Sequence, residues 1–512
     1  MSATAMSPTA AGLDCIPSSW ELLDSYGGQR TTYAQVWRPA SVPQLQQLFA
    51  HARHERRRVT LRAGGHSFDD QALGDDVVVS MMGFDGIELL DGGRVRVGAG
   101  ATWGAIFQEL KRHDLVPAVT VTTEHATAGG TLAGDCLSRF SCALGRQGAW
   151  IERFTLVTPQ GEELECARPA NPNAPATLQE QVFMGAIGGL GYLGAVVSIT
   201  FQALPVPGRG RIRVLTTVRK LETFGDLADH LLKRARTTMR KPGPDPPRPV
   251  ALYSALYSGP RGPRQALAFE SEFTRRRAGG HPMLLFIPGF RLRILVEWLV
   301  RLVPFNRLLW WTAFRFFYRD GGTNLDSLEG FTFFMDANAR ARRVAQRLGF
   351  NPQTLEQTFI LPADPSSEAT WARAREHLVA WLEHADALFC DLDLTPTLDD
   401  VLFLPADLPF DLSSTADMAG FAVSYSFETS DRKRIAKAER AFVQLADTLW
   451  SDYGGRVHLV KNVRARPATL VSMYGSGAVE FFRLKATVDP DCILRNAWLE
   501  RTFGPLLPAA CR

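Results

Sequence analysis

Glycine-rich turns divide residues 1–204 into short segments, and this punctuation constrains the fold more than any other feature of the chain. The segment TYAQVW (32–37) alternates apolar and polar residues, which is typical of a half-buried strand. The next segment (41–58) opens with a serine cap and carries apolar residues at helical spacing. Glycines then break the following runs, as in LRAGGHS (61–67) and RVRVGAG (94–100), where the chain must turn tightly. This pattern predicts an α+β domain built on small sheets.

The chain of 512 residues is too long for one hydrophobic core, and its second part differs from the first. Proline and arginine concentrate between residues 236 and 249, a composition that favours a surface loop. Beyond this loop, apolar runs predict strands over 250–258, 357–362 and 420–428, and helical spacing predicts helices over 369–385 and 432–450. We therefore expect residues 205–455 to form a second α+β domain, with an antiparallel sheet.

Composition excludes several classes of protein. Lys and Arg number 57 against 53 Asp and Glu, and a net charge of +4 is too small to favour a nucleic-acid partner. The seven cysteines show no CxxC spacing, so we expect neither a metal site nor a disulfide framework, and we expect Cys136 and Cys142 to be buried, inert thiols. The first residues lack the basic and apolar regions of a signal peptide, which favours a reducing, cytoplasmic location.

Residues 281–320 form a densely apolar and aromatic stretch. The charged residues that interrupt it are Arg291, Arg293, Glu297, Arg301, Arg307 and Arg315. A membrane-spanning helix needs about 20 predominantly apolar residues, so these charges exclude one. Two interpretations stay open: core helices with solvated arginines, or a basic interfacial patch that makes peripheral contact with a membrane or admits a lipid-linked substrate.

Two glycine clusters compete as the site of chemistry. The cluster at 189–194 fits GxGxxG, the fingerprint of a dinucleotide-binding loop. Such a loop must run from a strand into a helix, with an acidic residue about 20 positions further on. Here the glycines run into AVVSITF (195–201), which reads as a strand, and PGRGRIRVLT (207–216) has no acidic residue. The context therefore excludes a Rossmann site and leaves the LRAGGHS loop.

Four further motifs accompany that loop: RVRVGAG, ATAGGTLAGD (126–135), LGRQGAWIERFTLVTPQGE (144–162) and GAIGGLGYLGAVVSITF (185–201). In order and spacing they resemble the FAD-binding domain of the vanillyl-alcohol oxidase and p-cresol methylhydroxylase (PCMH) superfamily. The resemblance implies a two-lobed, PCMH-type domain over residues 1–204 that binds FAD, with backbone N–H groups of residues 62–67 around its pyrophosphate. The cofactor contacts that it implies are Arg62, Ala63, Gly64, Gly65, His66, Ser67, Thr127, Gly129, Gly130, Gly134, Asp135, Gly148, Ile151, Val196 and Asn496.

His66 stands where covalent members of this superfamily bond a histidine to the 8α carbon of the flavin. The resemblance therefore implies FAD attached through His66, with a neutral histidine that only contacts noncovalent FAD as the alternative. Some relatives add a cysteine bond in the loop before the second glycine cluster. The corresponding stretch, TVTTEHATAGG (120–130), has no cysteine, so any linkage is single.

The C-terminal motifs YGGRVHLVKNVR (453–464) and FFRLKATVDPDCILRN (481–496) resemble those of decaprenylphosphoryl-ribose 2-oxidase and related flavoenzymes. The resemblance implies that residues 456–512 return to the FAD domain and bring Lys461 to the flavin ring. An ammonium there would stabilise the reduced cofactor and orient a substrate hydroxyl.

Alternation nominates further residues on the substrate side, since residues two apart in a strand share a face. QTLEQTFILP nominates Glu356 and Thr358, with Glu356 as the first candidate for proton transfer or hydroxyl binding. GFAVSYSFE nominates Ser424, with Tyr425 on the opposite face.

The substrate contacts of the decaprenyl oxidases are not shared. Those enzymes hold FAD without a covalent bond, have a tyrosine in place of His66, and have two glutamines where this chain has Glu356 and Thr358. Their histidine after an Asp-Ile pair is also missing, since the matching stretch reads Asp-Cys-Leu (135–137). We therefore expect a shared scaffold with a different substrate.

The resemblance implies an FAD-dependent oxidoreductase that oxidises a CH–OH group of a sugar, alcohol or lipid-linked substrate, by hydride transfer to flavin N5. Electrons would pass to O2 or to another acceptor, and no metal is expected. Three alternatives stay open: a tailoring oxidase of an aromatic or polyketide natural product, an NADPH-dependent C=C reductase of the sterol type, and a degenerate membrane-associated scaffold.

Overall fold

The computed structural model describes residues 15–119, 121–206, 212–239, 250–257, 265–275, 313–336, 347, 352–364, 366–415 and 418–511. Most of the 281–320 segment lies outside the described residues, so both of its interpretations stay predictions. Among the helices of the described ranges, none has the length and apolar character needed to cross a membrane.

The first sheet contains four strands: β1 (Ser18–Asp24), β2 (Thr31–Trp37), β3 (Val59–Arg62) and β4 (Val77–Ser80). Their order is β1–β2–β4–β3, with β2 and β3 parallel to β4 and β1 antiparallel to β2. Helix α1 (Val42–His54) begins at Ser41, whose side chain caps it as predicted, and buries Leu45, Leu48 and Phe49.

A second sheet completes the N-terminal half. Its strands are β5 (Ile87–Leu89), β6 (Arg94–Gly98), β7 (Leu115–Pro117), β8 (Ile151–Val157), β9 (Glu163–Ala167) and β10 (Ala195–Pro205). Its helices are α2 (Trp103–Arg112), α3 (Ala128–Gly134), α4 (Ser141–Leu144) and α5 (Leu178–Ala186). The order is β5–β6–β10–β8–β9, with β7 on β10. The glycines at 189–194 lead into strand β10 and not into a helix, which agrees with the exclusion of a dinucleotide-binding loop.

The third sheet is antiparallel in every described pairing. Its strands are β11 (Arg213–Leu221), β12 (Ala251–Tyr257), β13 (Gln265–Thr274), β14 (Thr323–Ser327), β15 (Gln353–Ala363), β16 (Leu398–Leu404), β17 (Ala419–Thr429) and β18 (Arg456–Val457). Their order is β14–β11–β13–β12–β16–β17–β15–β18. Helices α6 (Phe224–Met239), α8 (Glu368–Asp391) and α9 (Arg432–Tyr453) pack against it, and α7 (Leu328–Thr332) follows β14. The predicted α+β class is confirmed, and the third sheet is the antiparallel sheet that was predicted after residue 205.

The C-terminal helices α10 (Pro467–Val488) and α11 (Ala497–Phe503) bring the chain back to the first sheet. Leu494 forms a parallel bridge with Val59 of β3. Lys485 is fully buried, and its ammonium donates to the Asp489 carboxylate at 2.8 Å and to the Leu494 carbonyl at 2.9 Å. This internal ion pair fixes the turn through which α10 reaches the first sheet.

Cys492 and Cys511 form a disulfide, with Cα atoms 5.3 Å apart. The expectation that the cysteines form no disulfide is therefore wrong. The two lie 19 residues apart in sequence, and only the fold of α11 and the turn after it brings them together. The inference of a reducing location loses this support, although the five other cysteines form no disulfide.

Thiol counting tests the bond. Denatured, unreduced protein should expose five thiols, and reduction should raise the number to seven. Cys511→Ser should release the Cys492 thiol and lower the free energy of unfolding by about 3 kcal/mol, since a loop of this length is then left open in the unfolded chain. Seven reactive thiols in unreduced wild-type protein would contradict the structure.

Candidate cofactor and substrate site

A cavity of about 410 Å³ lies where the N-terminal half meets the third sheet. Its walls come from the loop after β3, from residues 121–139, and from β15, β16, β17 and the segment after β18. The predicted residues that line it are Ala63, Gly64, Gly65, His66, Ser67, Thr127, Gly130, Gly134, Glu356, Thr358, Ser424 and Lys461. The structure thus brings both predicted groups, cofactor side and substrate side, to one cavity.

The loop after β3 depends on its two glycines. Gly65 has φ +68°, a left-handed conformation that side chains disfavour. A Cβ on Gly64 would lie 2.6 Å from the His125 carbonyl oxygen. Within the described ranges, the backbone N–H groups of residues 64–67 donate no hydrogen bond to protein. Unpaired amides along a cavity wall suit an anionic group such as a diphosphate.

His66 projects from this loop beside two other rings. Its ring centroid lies 5.2 Å from that of Tyr26 and 6.3 Å from that of His125. The Nδ1 atom is buried and has no hydrogen-bond partner among the described residues. Burial lowers the pKa of His66, because its effect is larger than that of the Gly64 carbonyl, which raises the pKa. The imidazole is therefore held neutral, so one of its two ring nitrogens carries a lone pair.

Adjacent glycines at the start of α3 have different surroundings. Thr127 caps the helix by accepting from the Gly130 N–H. A Cβ on Gly129 would lie 2.7 Å from Ala99 Cβ, so that side is packed. A Cβ on Gly130 would meet only Thr127 Oγ1, at 3.1 Å, and Gly130 lines the cavity. Gly129 therefore serves packing, whereas Gly130 keeps the cavity wall flat.

The other predicted cofactor residues do not line the cavity: Arg62, Gly129, Asp135, Gly148, Ile151, Val196 and Asn496. Asp135 lies 3.2 Å from the Arg146 guanidinium and accepts from the Gly148 N–H at 2.9 Å. Burial raises the pKa of Asp135 to about 6, although Arg146 opposes this shift. The pair orders the turn after α3.

Asn496 acts in the same way on the loop after β3. Its amide donates to the carbonyls of Asp70, Gln71 and Leu73 at 3.0–3.2 Å. Its side-chain oxygen accepts from the Tyr192 hydroxyl at 2.9 Å. Asn496 thus fixes residues 70–73 and, through them, the loop that carries His66.

Lys461 lies in a bend beyond β18 rather than in a strand. Its ammonium is 2.8 Å from Glu356 Oε1 and 4.1 Å from the centre of the Phe68 ring. The Gln71 amide donates to the Lys461 carbonyl at 2.7 Å, which ties the bend to the N-terminal half. Burial lowers the pKa of Lys461, but the Glu356 carboxylate outweighs it and holds the pKa above its ordinary value. The lysine is therefore a charged donor.

The predicted alternation in β15 and β17 is confirmed. Thr358 is the register partner of Ser424, and their hydroxyls lie 2.9 Å apart in the cavity wall. Tyr425 faces the opposite side and packs against Phe389, with ring centroids 5.0 Å apart. The roles of Glu356, Thr358 and Ser424 remain predictions.

Several lining residues escaped the sequence analysis: Arg139, Tyr253, Phe331, Phe334, Asp400 and His458. The Arg139 guanidinium stacks on three of these rings, with centroid distances of 3.4–4.9 Å. Burial lowers the pKa of His458 to about 3, so this imidazole is neutral. The run LDDVLFL (398–404) does not alternate in polarity, so alternation could not have identified Asp400. Burial also raises the pKa of Cys136 and Cys142 to about 12. Cys142 is buried as predicted, whereas Cys136 is half-buried and lines the cavity.

Comparisons with known proteins point to the same cofactor. A family model described as an FAD binding domain matches residues 33–167. L-gulonolactone oxidase of Bos taurus is 28% identical over 199 residues, which are 38% of this chain and 43% of the relative. Cytokinin dehydrogenase 2 of Arabidopsis thaliana is 26% identical over 177 residues, 34% of each chain. The chain thus spans less than half of the length of these relatives. The unpaired amides, the free His66 Nδ1 and the open face of Gly130 fit the cofactor named by the family model.

The two glycines of α3 give a matched test. Gly130→Ala should leave the melting temperature unchanged and weaken FAD binding about tenfold, because the methyl group enters the cavity. Gly129→Ala should lower the melting temperature, because its methyl group meets Ala99. FAD affinity is measured by fluorescence titration of apoprotein in the His66→Ala background, where the cofactor exchanges. Equal effects of both variants on affinity would contradict the assignment.

Proposed function

We propose that this chain is an FAD-dependent oxidoreductase that acts on a CH–OH group of a small molecule, such as a sugar, a sugar lactone or an alcohol. The premise is that residues 33–167 are an FAD-binding domain of the vanillyl-alcohol oxidase and PCMH type. The observation that carries this proposal is the Lys461–Glu356 pair, at 2.8 Å, in the same cavity as the loop of His66. A charged donor next to a carboxylate suits the binding and polarisation of a hydroxyl group.

Each wall of the cavity has its own task. The amides of residues 64–67 and the flat face of Gly130 would hold FAD, and His66 would tether it. When bound, FAD accepts the hydride that leaves the substrate carbon. The Thr358 and Ser424 hydroxyls bind the reacting hydroxyl group, which the Lys461 ammonium orients.

A second candidate function is the oxidation of an aromatic compound, because one end of the cavity is aromatic. Tyr253, Phe269, Phe331 and Phe334 line it, with the Arg139 guanidinium over three of these rings. Aromatic walls bind flat apolar groups by area and by ring stacking. A lipid-linked substrate and peripheral membrane contact depend on residues 281–320, most of which the structure does not describe, and both stay predictions.

Anaerobic bleaching of the flavin absorbance tests the function. The panel is L-gulono-1,4-lactone, D-sorbitol, vanillyl alcohol, a cytokinin and NADPH. Bleaching by the lactone or the polyol supports the first candidate, and bleaching by vanillyl alcohol supports the second. Bleaching by NADPH alone would indicate a reductase, and purified protein without flavin would indicate a scaffold. Reoxidation by air then separates an oxidase from a dehydrogenase.

We expect FAD to be covalently attached through the Nδ1 atom of His66, since that atom is buried and unpartnered among the described residues and the ring is neutral. Wild-type protein denatured in acid should give a fluorescent band on a gel, whereas His66→Ala should give a dark band and release its FAD. His125→Ala is the matched control, because its ring lies 6.3 Å away and should leave the bond intact. Flavin that stays attached in His66→Ala would contradict this linkage.

Lys461→Met should slow flavin bleaching by the true substrate at least about 100-fold, because a charged donor is lost from the site of reaction. FAD content should be unchanged. Lys437→Met, which removes an ammonium bonded to the Leu392 carbonyl outside the cavity lining, should keep the wild-type rate. A wild-type rate in Lys461→Met would remove the lysine from the mechanism.

A further inference from the structure

We propose that Asp400, rather than Glu356, accepts the hydroxyl proton of the substrate. This inference rests on the proposed function and names the base of the same site. Asp400 lies on β16, where its register partner is Ser424 of β17. Ser424 is in turn opposite Thr358 of β15, with 2.9 Å between the two hydroxyls. Three neighbouring strands therefore place a carboxylate beside the two hydroxyls that bind the reacting group.

The two carboxylates of the site differ in what they already contact. Glu356 Oε1 is occupied by the Lys461 ammonium at 2.8 Å. The backbone N–H of Glu356 is also bound, to the Asn462 side chain at 2.8 Å. Asp400 lines the same cavity, and its buried Oδ1 has no hydrogen-bond partner among the described residues. A buried acceptor without a donor is costly unless a ligand supplies one, and a substrate hydroxyl is such a donor.

The charges that face Asp400 tune it to this role. Burial and the Glu356 carboxylate on β15 together raise the pKa of Asp400 to about 6, against the opposing effects of the Ser424 hydroxyl, Lys461 and Arg139. Asp399, its neighbour on β16, and Asp326 on β14 are further carboxylates that line the cavity. A general base works best when its pKa is near the working pH, so Asp400 is ionised at neutral pH and still able to take up a proton.

The step balances in atoms and electrons. The substrate C–H bond breaks and its electron pair leaves with the hydrogen as hydride, for which bound FAD is the acceptor. The O–H bond breaks at the same carbon, its proton passes to Asp400 Oδ1, and a C=O bond forms. Asp400 then returns the proton to water after the product leaves.

A measurement without substrate tests the ionisation. The folded chain holds a proton on Asp400 between about pH 4 and 6, where a carboxyl of an unfolded chain has lost it. This contribution to stability is present at low pH and is lost as the pH rises to about 6. The urea midpoint of wild type minus that of Asp400→Asn should therefore fall across this window and stay flat above it. A difference that is flat from pH 4 to 7 would overturn the inference.

The pH profile of flavin bleaching tests the chemical role. With the panel compound that bleaches the wild type, the limiting rate should rise with pH to a plateau above about pH 6. Asp400→Asn should lower that plateau at least about 100-fold and abolish the rise. Asp411→Asn is the matched control, because burial raises the pKa of Asp411 to about 7 but the residue lies outside the cavity lining.

The outcomes separate the two proposals. An unchanged pH profile in Asp411→Asn together with a lost one in Asp400→Asn supports the base. A rate within threefold of wild type in Asp400→Asn overturns it and leaves the proposed function standing, with Glu356→Gln as the next variant. Failure of every panel compound to bleach the wild type removes the proposed function, and this inference with it.

Discussion

An ammonium group can sit inside a cavity only when a negative charge and fixed polar groups surround it, because its desolvation is otherwise too costly. Lys461 meets this condition through Glu356 at 2.8 Å and the Phe68 ring at 4.1 Å. The two partners come from opposite halves of the molecule, since Glu356 lies on β15 and Phe68 follows the first sheet. Gln71 adds a hydrogen bond to the Lys461 carbonyl. The same contacts that keep the lysine charged therefore also join the third sheet to the N-terminal half.

The electrostatics of the cavity follow from which groups burial neutralises. His66 and His458 have their pKa lowered by burial, so neither adds a positive charge. Lys461 keeps its charge because the nearby carboxylate outweighs burial. The polar end of the cavity thus has the Lys461 ammonium as a charged donor, and the aromatic end has the Arg139 guanidinium. Burial raises the pKa of Asp400 to about 6, so the charge of this carboxyl changes just below neutral pH.

Sequence reasoning identified residues whose role is local and missed those whose role depends on distant pairing. The GGH loop and the alternation of Glu356 with Thr358 are properties of single segments, and both reach the cavity. Asn496 illustrates the limit: the motif marked a residue that fixes the cofactor loop from behind, without showing whether its side chain reaches the cavity. Asp400 was missed because its position opposite Ser424 depends on the register of β16 and β17. The Cys492–Cys511 bond was missed because it depends on the path of the chain after α10.

The substrate must be inferred from the third sheet alone. The matched family domain ends at residue 167, before every residue on the substrate side. That part of the cavity has a polar end, where Asp400 and Ser424 meet, and an aromatic end under Arg139. Both ends belong to the same cavity. The geometry therefore favours a substrate that presents one hydroxyl to the polar end and a less polar body to the rings. A uniformly polar sugar would leave the aromatic wall without a partner, and this is why the comparison of polyol with aromatic alcohol bears most directly on specificity.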